Sequence, residues 1–184
     1  MVQPEVITTR RGRLVQLRPI MPEDDILLVR LFHRLSPETR WRRFLDPLPD
    51  MNDRQIAAEA HRLAAIDPRH EVALLATACE DGDTEVVGVT RFAIQRDDPQ
   101  QAEFAILVRD DYQGEGLGKA LLQRLIGLAR QRGLICLWGL TFSENRAILG
   151  LVQHCGLPAH LTYHRGELRL ELDLLSAGSP SLPR

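Results

Sequence analysis

A chain of 184 residues with a hydrophobic content of 44% can bury one sizeable core and is short for two domains. Its net charge of −2 provides no field that would recruit a nucleic acid or a membrane surface, so neither partner is expected. Cys79, Cys136 and Cys155 lie in apolar runs without metal-ligand spacing, which reads as reduced, buried thiols rather than disulfides or a metal site.

Residues 1–12 are polar and aperiodic, and 175–184 are rich in small residues and proline; both are expected to be loose tails around one domain spanning 13–174. The first thirty residues lack the apolar segment of a signal peptide, and no stretch approaches the roughly 18 apolar residues of a membrane span. A soluble, cytoplasmic protein is the expectation.

Arg13–Ile20 alternates as a strand. Pro22, Glu23 and Asp24 then start a helix, because proline suits a first turn and carboxylates suit the positive end of the macrodipole. Leu28, Leu31, Phe32 and Leu35 share one face of it. Ser36-Pro37-Glu38 opens a second helix carrying Trp41, Phe44 and Leu45. The stretch Arg40-Trp41-Arg42-Arg43-Phe44 is basic with interleaved aromatics, yet at helical spacing its apolar residues fall on one side, which favours a core face edged by solvated arginines over nucleic-acid contact. A third helix runs from Asp53 to Leu63. Glu71–Cys79 is a near-continuous apolar strand that turns at Glu80–Asp83 into an antiparallel partner, Val86–Ile94. After the polar loop Gln95–Gln101 come a strand (Ala102–Val108), a long helix (Gly116–Arg132), a strand (Ile135–Thr141), a helix (Asn145–Cys155) and final strands within Ala159–Leu174. Gly133 and Gly156 stop the two helices where a left-handed residue is wanted. Leu121, Leu125 and Leu128 share a face of the first, and Ile148, Leu151, Val152 and Cys155 a face of the second. The fold class is mixed α/β, a central mixed sheet of six to seven strands flanked by helices.

The informative stretch is Ala105 to Lys119, a strand that runs through Gln113-Gly114-Glu115-Gly116-Leu117-Gly118 into a helix; Lys119 is the sole lysine. The first amides of a helix lack intrahelical acceptors, the macrodipole places positive charge there, and glycines let an anion approach the backbone. A diphosphate suits that chemistry. A Walker loop would need serine or threonine after Gly118-Lys119, where Ala120 stands. A dinucleotide fingerprint would need different glycine spacing in an early βαβ unit. An ordinary strand-to-helix turn stays open.

Gln113-x-x-Gly116-x-Gly118 resembles the pyrophosphate-binding motif of the GNAT superfamily of acyl-CoA-dependent N-acetyltransferases. Asn145-Arg146-Ala147 followed by Gly156-Leu157 is similar to the family's next motif. Glu103–Gly118, with Leu17-Arg18-Pro19-Ile20 and Ser36-Pro37-Glu38, resembles in particular the acetyltransferase domain of bacterial Pat-type protein lysine acetyltransferases, a likeness spanning roughly residues 13 to 174. The resemblance implies a GNAT fold and acetyl-CoA as cosubstrate; no metal is expected, from the spacing of the cysteines and histidines. It also implies that the backbone of Gln113, Gly114, Glu115, Gly116, Leu117, Gly118 and Lys119 takes the CoA diphosphate, that Ile106, Leu107 and Val108 pair with the pantetheine arm as an added strand would, and that Asn145 lies near the pantetheine or the departing sulfur. A helix cap is the other reading of Asn145. Many relatives place a thiolate-protonating tyrosine where this chain has Val152, so that acid is lost.

An amine attacks a thioester only when neutral, and a lysine with a pKa near about 10.4 is almost wholly protonated at neutral pH. A proton acceptor is therefore required, and Glu103 is the candidate, as the Pat resemblance implies; a solvated strand-end glutamate is the alternative. His70, His154, His160 and His164 are rivals without metal-pair spacing. No serine or cysteine stands in a nucleophile elbow, which favours direct attack by the amine, with the Leu107 or Val108 backbone donating to the oxyanion. The expected reaction is acetyl transfer from acetyl-CoA to an amine, a protein lysine being the leading acceptor. A non-catalytic acyl-CoA-binding regulator and a small-molecule amine acetyltransferase are the alternatives, and a homodimer is left open. Pat-type relatives often add nucleotide-binding or acyl-CoA synthetase domains, and this sequence has neither.

Overall fold

The computed structural model describes residues 3–44, 51–164 and 167–176. In chain order these hold β1 (Glu5–Thr8), β2 (Leu14–Pro19), a 3-10 turn at Pro22–Asp24, α1 (Asp25–Arg34), α2 (Pro37–Phe44), α3 (Asp53–Ala64), β3 (Glu71–Glu80) and β4 (Asp83–Ile94). There follow β5 (Gln101–Val108), a 3-10 turn at Asp110–Tyr112, α4 (Leu117–Gln131), β6 (Cys136–Thr141), α5 (Arg146–Gln153), β7 (Ala159–His164) and β8 (Glu167–Asp173). The strands form one sheet in the order β1-β2-β3-β4-β5-β6-β8-β7. Among the described residues only β5 and β6 run parallel, and α4 supplies the crossover that a parallel pair requires.

The sheet has eight strands where six to seven are predicted. Part of the difference is β1, which lies inside the segment expected to be a loose tail and pairs with β2 from Glu5↔Leu17 to Thr8↔Leu14. It is four residues long and largely exposed at the sheet edge, so no buried face marks it in the sequence. Leu45 and the expected tail from residue 177 onward lie outside the described residues.

Helices α4 and α5 cover one face of the sheet, where Phe92, Phe104, Leu122, Leu125 and Leu137 pack together. Helices α1 and α3 cover the other, with Leu28, Leu31, Ala60, Ala73 and Leu75. Burial on both faces is why β3 reads as an unbroken apolar run from Val72 to Ala76. Gly133 and Gly156 close α4 and α5 at φ of +76° and +82°, the left-handed stops that the sequence implies.

The feature that positions the site is a fork in the sheet. β5 and β6 are paired only at Gln101↔Cys136, Ala102↔Leu137 and Glu103↔Trp138. Beyond that point β5 stays on β4 as far as Val108, while β6 stays on β8 as far as Thr141, so the edge of β5 from Phe104 to Val108 is left without a strand partner on that side. A bulge at Val87 of β4 interrupts its ladder with β3, and the Val87 carbonyl accepts from the Arg109 amide at 2.9 Å, which fastens the far end of β5.

Candidate functional site

Beyond Val108 the chain passes through the Asp110–Tyr112 turn and enters α4 by way of Gly114 and Gly116, whose φ angles are +74° and +90°. Both are left-handed positions that a side chain would strain. Among the described residues the amides of Gly114, Glu115, Gly116, Leu117, Gly118 and Lys119 meet no acceptor; the first hydrogen bond from this stretch is Ala120 N–H to the Gly116 carbonyl, 3.1 Å. No side chain caps the helix. A row of unpaired donors therefore lies at the positive end of a long helix, and a Cβ on Gly114 would meet nothing within 4 Å. The residues fit a diphosphate. A methyl on Gly118 would lie 3.7 Å from Leu151 and Val108, ordinary contact, so alanine also fits there.

Side chains from distant elements hold this turn. The Gln113 side-chain amide donates to the Val108 carbonyl at 3.0 Å, closing the end of β5. Asp110 accepts from the Ser36 amide (2.9 Å), the Ser36 hydroxyl (2.7 Å) and the Thr39 hydroxyl (2.6 Å), which ties the start of α2 to the turn. Arg109, 1% exposed, is bidentate to Asp111 at 2.7 and 2.8 Å and donates to Glu80, which also accepts from Tyr112 at 2.9 Å. The Glu115 carboxylate is bound by Arg13, so only its amide remains for a ligand. Arg13 also lies 3.3 Å over the Tyr112 ring.

The carboxylates of this network are held below their ordinary range. Arg109 does this for Asp111, and Arg13 for Glu115. For Asp110 and Glu80 burial pushes upward, but hydrogen bonds from Thr39 and Ser36, and from Arg109 and Tyr112, outweigh it. A carboxylate lowered in the folded state stabilises it above the unfolded pKa and loses that contribution as pH falls through the folded value. The melting temperature is therefore expected to drop as pH falls below about 4, and CoA affinity with it; thermal unfolding and titrations across that range check this.

Glu103 is exposed and stands at the last pair before the fork, opposite Trp138. It shares a sheet face with Ala105 and Leu107, which line a cavity of about 60 Å³ between β3–β5 and the α1–α3 layer. The cavity is apolar, with Arg43, Glu59 and Arg91 among its lining. Burial, with the neighbouring Arg91, holds the Arg43 guanidinium below its ordinary range against the opposing pull of Glu103 and Glu59.

The expected pantetheine contacts divide by strand geometry. Arg109 N–H bonds Val87 and Gln95 N–H bonds Gln101, so by the alternation of an antiparallel ladder the backbone groups of Leu107 point to β4, and those of Ile106 and Val108 point into the fork. Leu107 is thus removed as an oxyanion donor, leaving Val108 of the two. Asn145 caps α5: its side-chain oxygen accepts from the Ile148 amide (3.4 Å) and its NH2 donates to the Thr141 hydroxyl (3.0 Å). Val152 is buried. Lys119 is exposed on the first turn of α4.

Two expectations change. Trp41 is not a core residue: it is 39% exposed and stacks on Phe142 with ring centroids 4.2 Å apart, joining α2 to the segment after β6. Cys79 is exposed, since it lies near the end of β3; Cys136 and Cys155 are half-buried, and burial pushes their thiols up, away from nucleophilic use. Of the histidines, His70 contacts Asp67 and His154 the Gly150 carbonyl, neither at the fork.

The sequence profile of the acetyltransferase (GNAT) family matches residues 29–157. The chain is 35% identical over 140 residues to an acetyltransferase of Pseudomonas aeruginosa, covering 76% of this chain and 73% of that one. It is 34% identical over 102 residues to the L-methionine sulfoximine/L-methionine sulfone acetyltransferase of Pseudomonas paraeruginosa, covering 53% of this chain and 58% of that one. Among solved structures, the GNAT domain of S. lividans PAT superposes with a TM-score of 0.79 at 28% identity, covering 92% of this chain and 96% of that domain. Open amides at the glycine turn, the forked sheet and these matches agree: the chain belongs to the acetyltransferase (GNAT) family and is an acetyl-CoA-dependent N-acetyltransferase.

Proposed function

We propose that the acceptor is the side-chain amine of a protein lysine, that Glu103 is the general base, and that the amides from Gln113 to Lys119 hold the CoA diphosphate. The observation carrying this reading is the position of Glu103, at the closed end of the fork and on the sheet face whose Ala105 and Leu107 line the apolar cavity. A glutamate there can take a proton from an incoming ammonium, directly or through one water, and leave a neutral amine to attack the thioester carbonyl. Val108 N–H, pointing into the fork, is the donor for the oxyanion. Val152 has no proton to give, and the Tyr112 hydroxyl is committed to Glu80, so water protonates the departing thiolate.

Cavity size favours a side chain over an engulfed small molecule. About 60 Å³ is below the several hundred Å³ of sites that enclose small ligands. The apolar lining suits a methylene stem. The resemblance of Glu103–Gly118 to Pat-type protein lysine acetyltransferases supports the same acceptor, while the relative named for L-methionine sulfoximine keeps a small amine as the competing reading.

Thiol release from acetyl-CoA, measured with lysine-containing proteins and peptides beside a panel of small amines, tests the proposal. Turnover confined to lysine side chains is expected. Turnover confined to small amines overturns the acceptor, and CoA binding without turnover on any amine points instead to a regulatory domain.

A further inference from the structure

We propose that Arg10, on the turn between β1 and β2, binds a phosphate at the nucleotide end of CoA, which makes the edge hairpin part of the donor site. This rests on the diphosphate reading of the glycine turn given above.

The hairpin tip is a built structure. Thr9 N–H bonds the Arg13 carbonyl at 2.9 Å, Gly12 N–H bonds Thr9 at 2.9 Å, and Gly12 takes the left-handed φ of +81° that closes the turn. The tip is fastened to the glycine loop, with Arg10 N–H donating to the Glu115 carbonyl at 2.9 Å and Arg13 binding the Glu115 carboxylate. These bonds place the Arg10 side chain on Gly116: a methyl built there would lie 3.7 Å from its Nε and 3.8 Å from its Cγ.

Charge accounting leaves Arg10 over. The Glu115 carboxylate is taken by Arg13, with Arg11 as a looser neighbour at 3.6 Å and 74% exposed. Asp111 is bidentate to Arg109. Among the described residues the Arg10 guanidinium has no hydrogen-bond or ion-pair partner, yet it is exposed and held beside the unpaired amides of the helix start. A guanidinium forks two N–H donors onto phosphate oxygens, and a pinned backbone lowers the cost of keeping it there. CoA offers two anionic groups that such a side chain can bind, the diphosphate and the ribose 3′-phosphate.

Titration of wild type, Arg10→Gln and Arg10→Lys with CoA and with dephospho-CoA tests this. Arg10→Gln is expected to weaken CoA about tenfold with an unchanged melting temperature, and Arg10→Lys to recover most of that loss. The gap between wild type and Arg10→Gln should narrow as salt rises from about 0.05 to about 0.5 M, which a purely structural role would not cause. A gap that vanishes with dephospho-CoA assigns the 3′-phosphate, and one that persists assigns the diphosphate; both support the proposal. Arg10→Gln binding CoA as wild type does overturns it and leaves the glycine-turn reading standing, whereas wild type that ignores CoA overturns both.

Discussion

Glu103→Gln is expected to lower kcat at neutral pH by about a hundredfold or more, some 3 kcal/mol of barrier, with CoA affinity within about twofold of wild type. The replacement keeps the size and hydrogen-bonding reach of the side chain and removes only its capacity to take a proton. At pH 7 fewer than about one lysine amine in a thousand is neutral. The variant should therefore regain activity as pH approaches about 10, where the amine deprotonates itself, and the two pH–rate curves should converge there. Steady-state kinetics across that range, with a CoA titration of each protein, decide the matter. An unaltered kcat would make Glu103 a solvated strand residue, which its exposure at the pair with Trp138 also allows.

The second large effect concerns the turn. Gly116→Val is expected to weaken CoA by at least about thirtyfold, while Gly118→Ala stays within about threefold. Gly116 sits at φ +90°, a conformation that costs a β-branched residue about 1–3 kcal/mol, and the new side chain would stand against Arg10 beside the open amides. Gly118 is inside α4, and a methyl there finds 3.7 Å of clearance to Leu151 and Val108. Affinities by calorimetry, with melting temperatures to show that both variants fold, give the ordering. Equal affinities would mean that the left-handed glycine is not part of the donor site.

The turn was legible because its information is local: Gln113, Gly114, Gly116 and Gly118 lie within one helical entry, and the backbone there follows from the residue types. Helices α1, α4 and α5 were legible for the same reason, their apolar residues recurring at helical spacing along single segments. The fork was not. Which strands stay paired past Glu103 depends on β6 meeting β8 from Thr141↔Leu168 to Cys136↔Asp173, and no short stretch of sequence encodes that register. Trp41 was misread because helical spacing says which residues share a side and not what that side meets; its partner, Phe142, comes from the far half of the chain. The support of the turn was hidden in the same way, since Asp110 finds Ser36 and Thr39, and Glu115 finds Arg13, only after the sheet has formed. β1 has too little buried surface to show a pattern at all.

Most depends on main-chain donors at the start of α4 gripping a diphosphate. Backbone amide NMR of the labelled protein titrated with CoA reads those groups one by one. The largest shifts should fall on Gly114, Glu115, Gly116, Leu117, Gly118 and Lys119 and saturate together. Saturable binding that leaves these amides unmoved, or no binding at all, would contradict it.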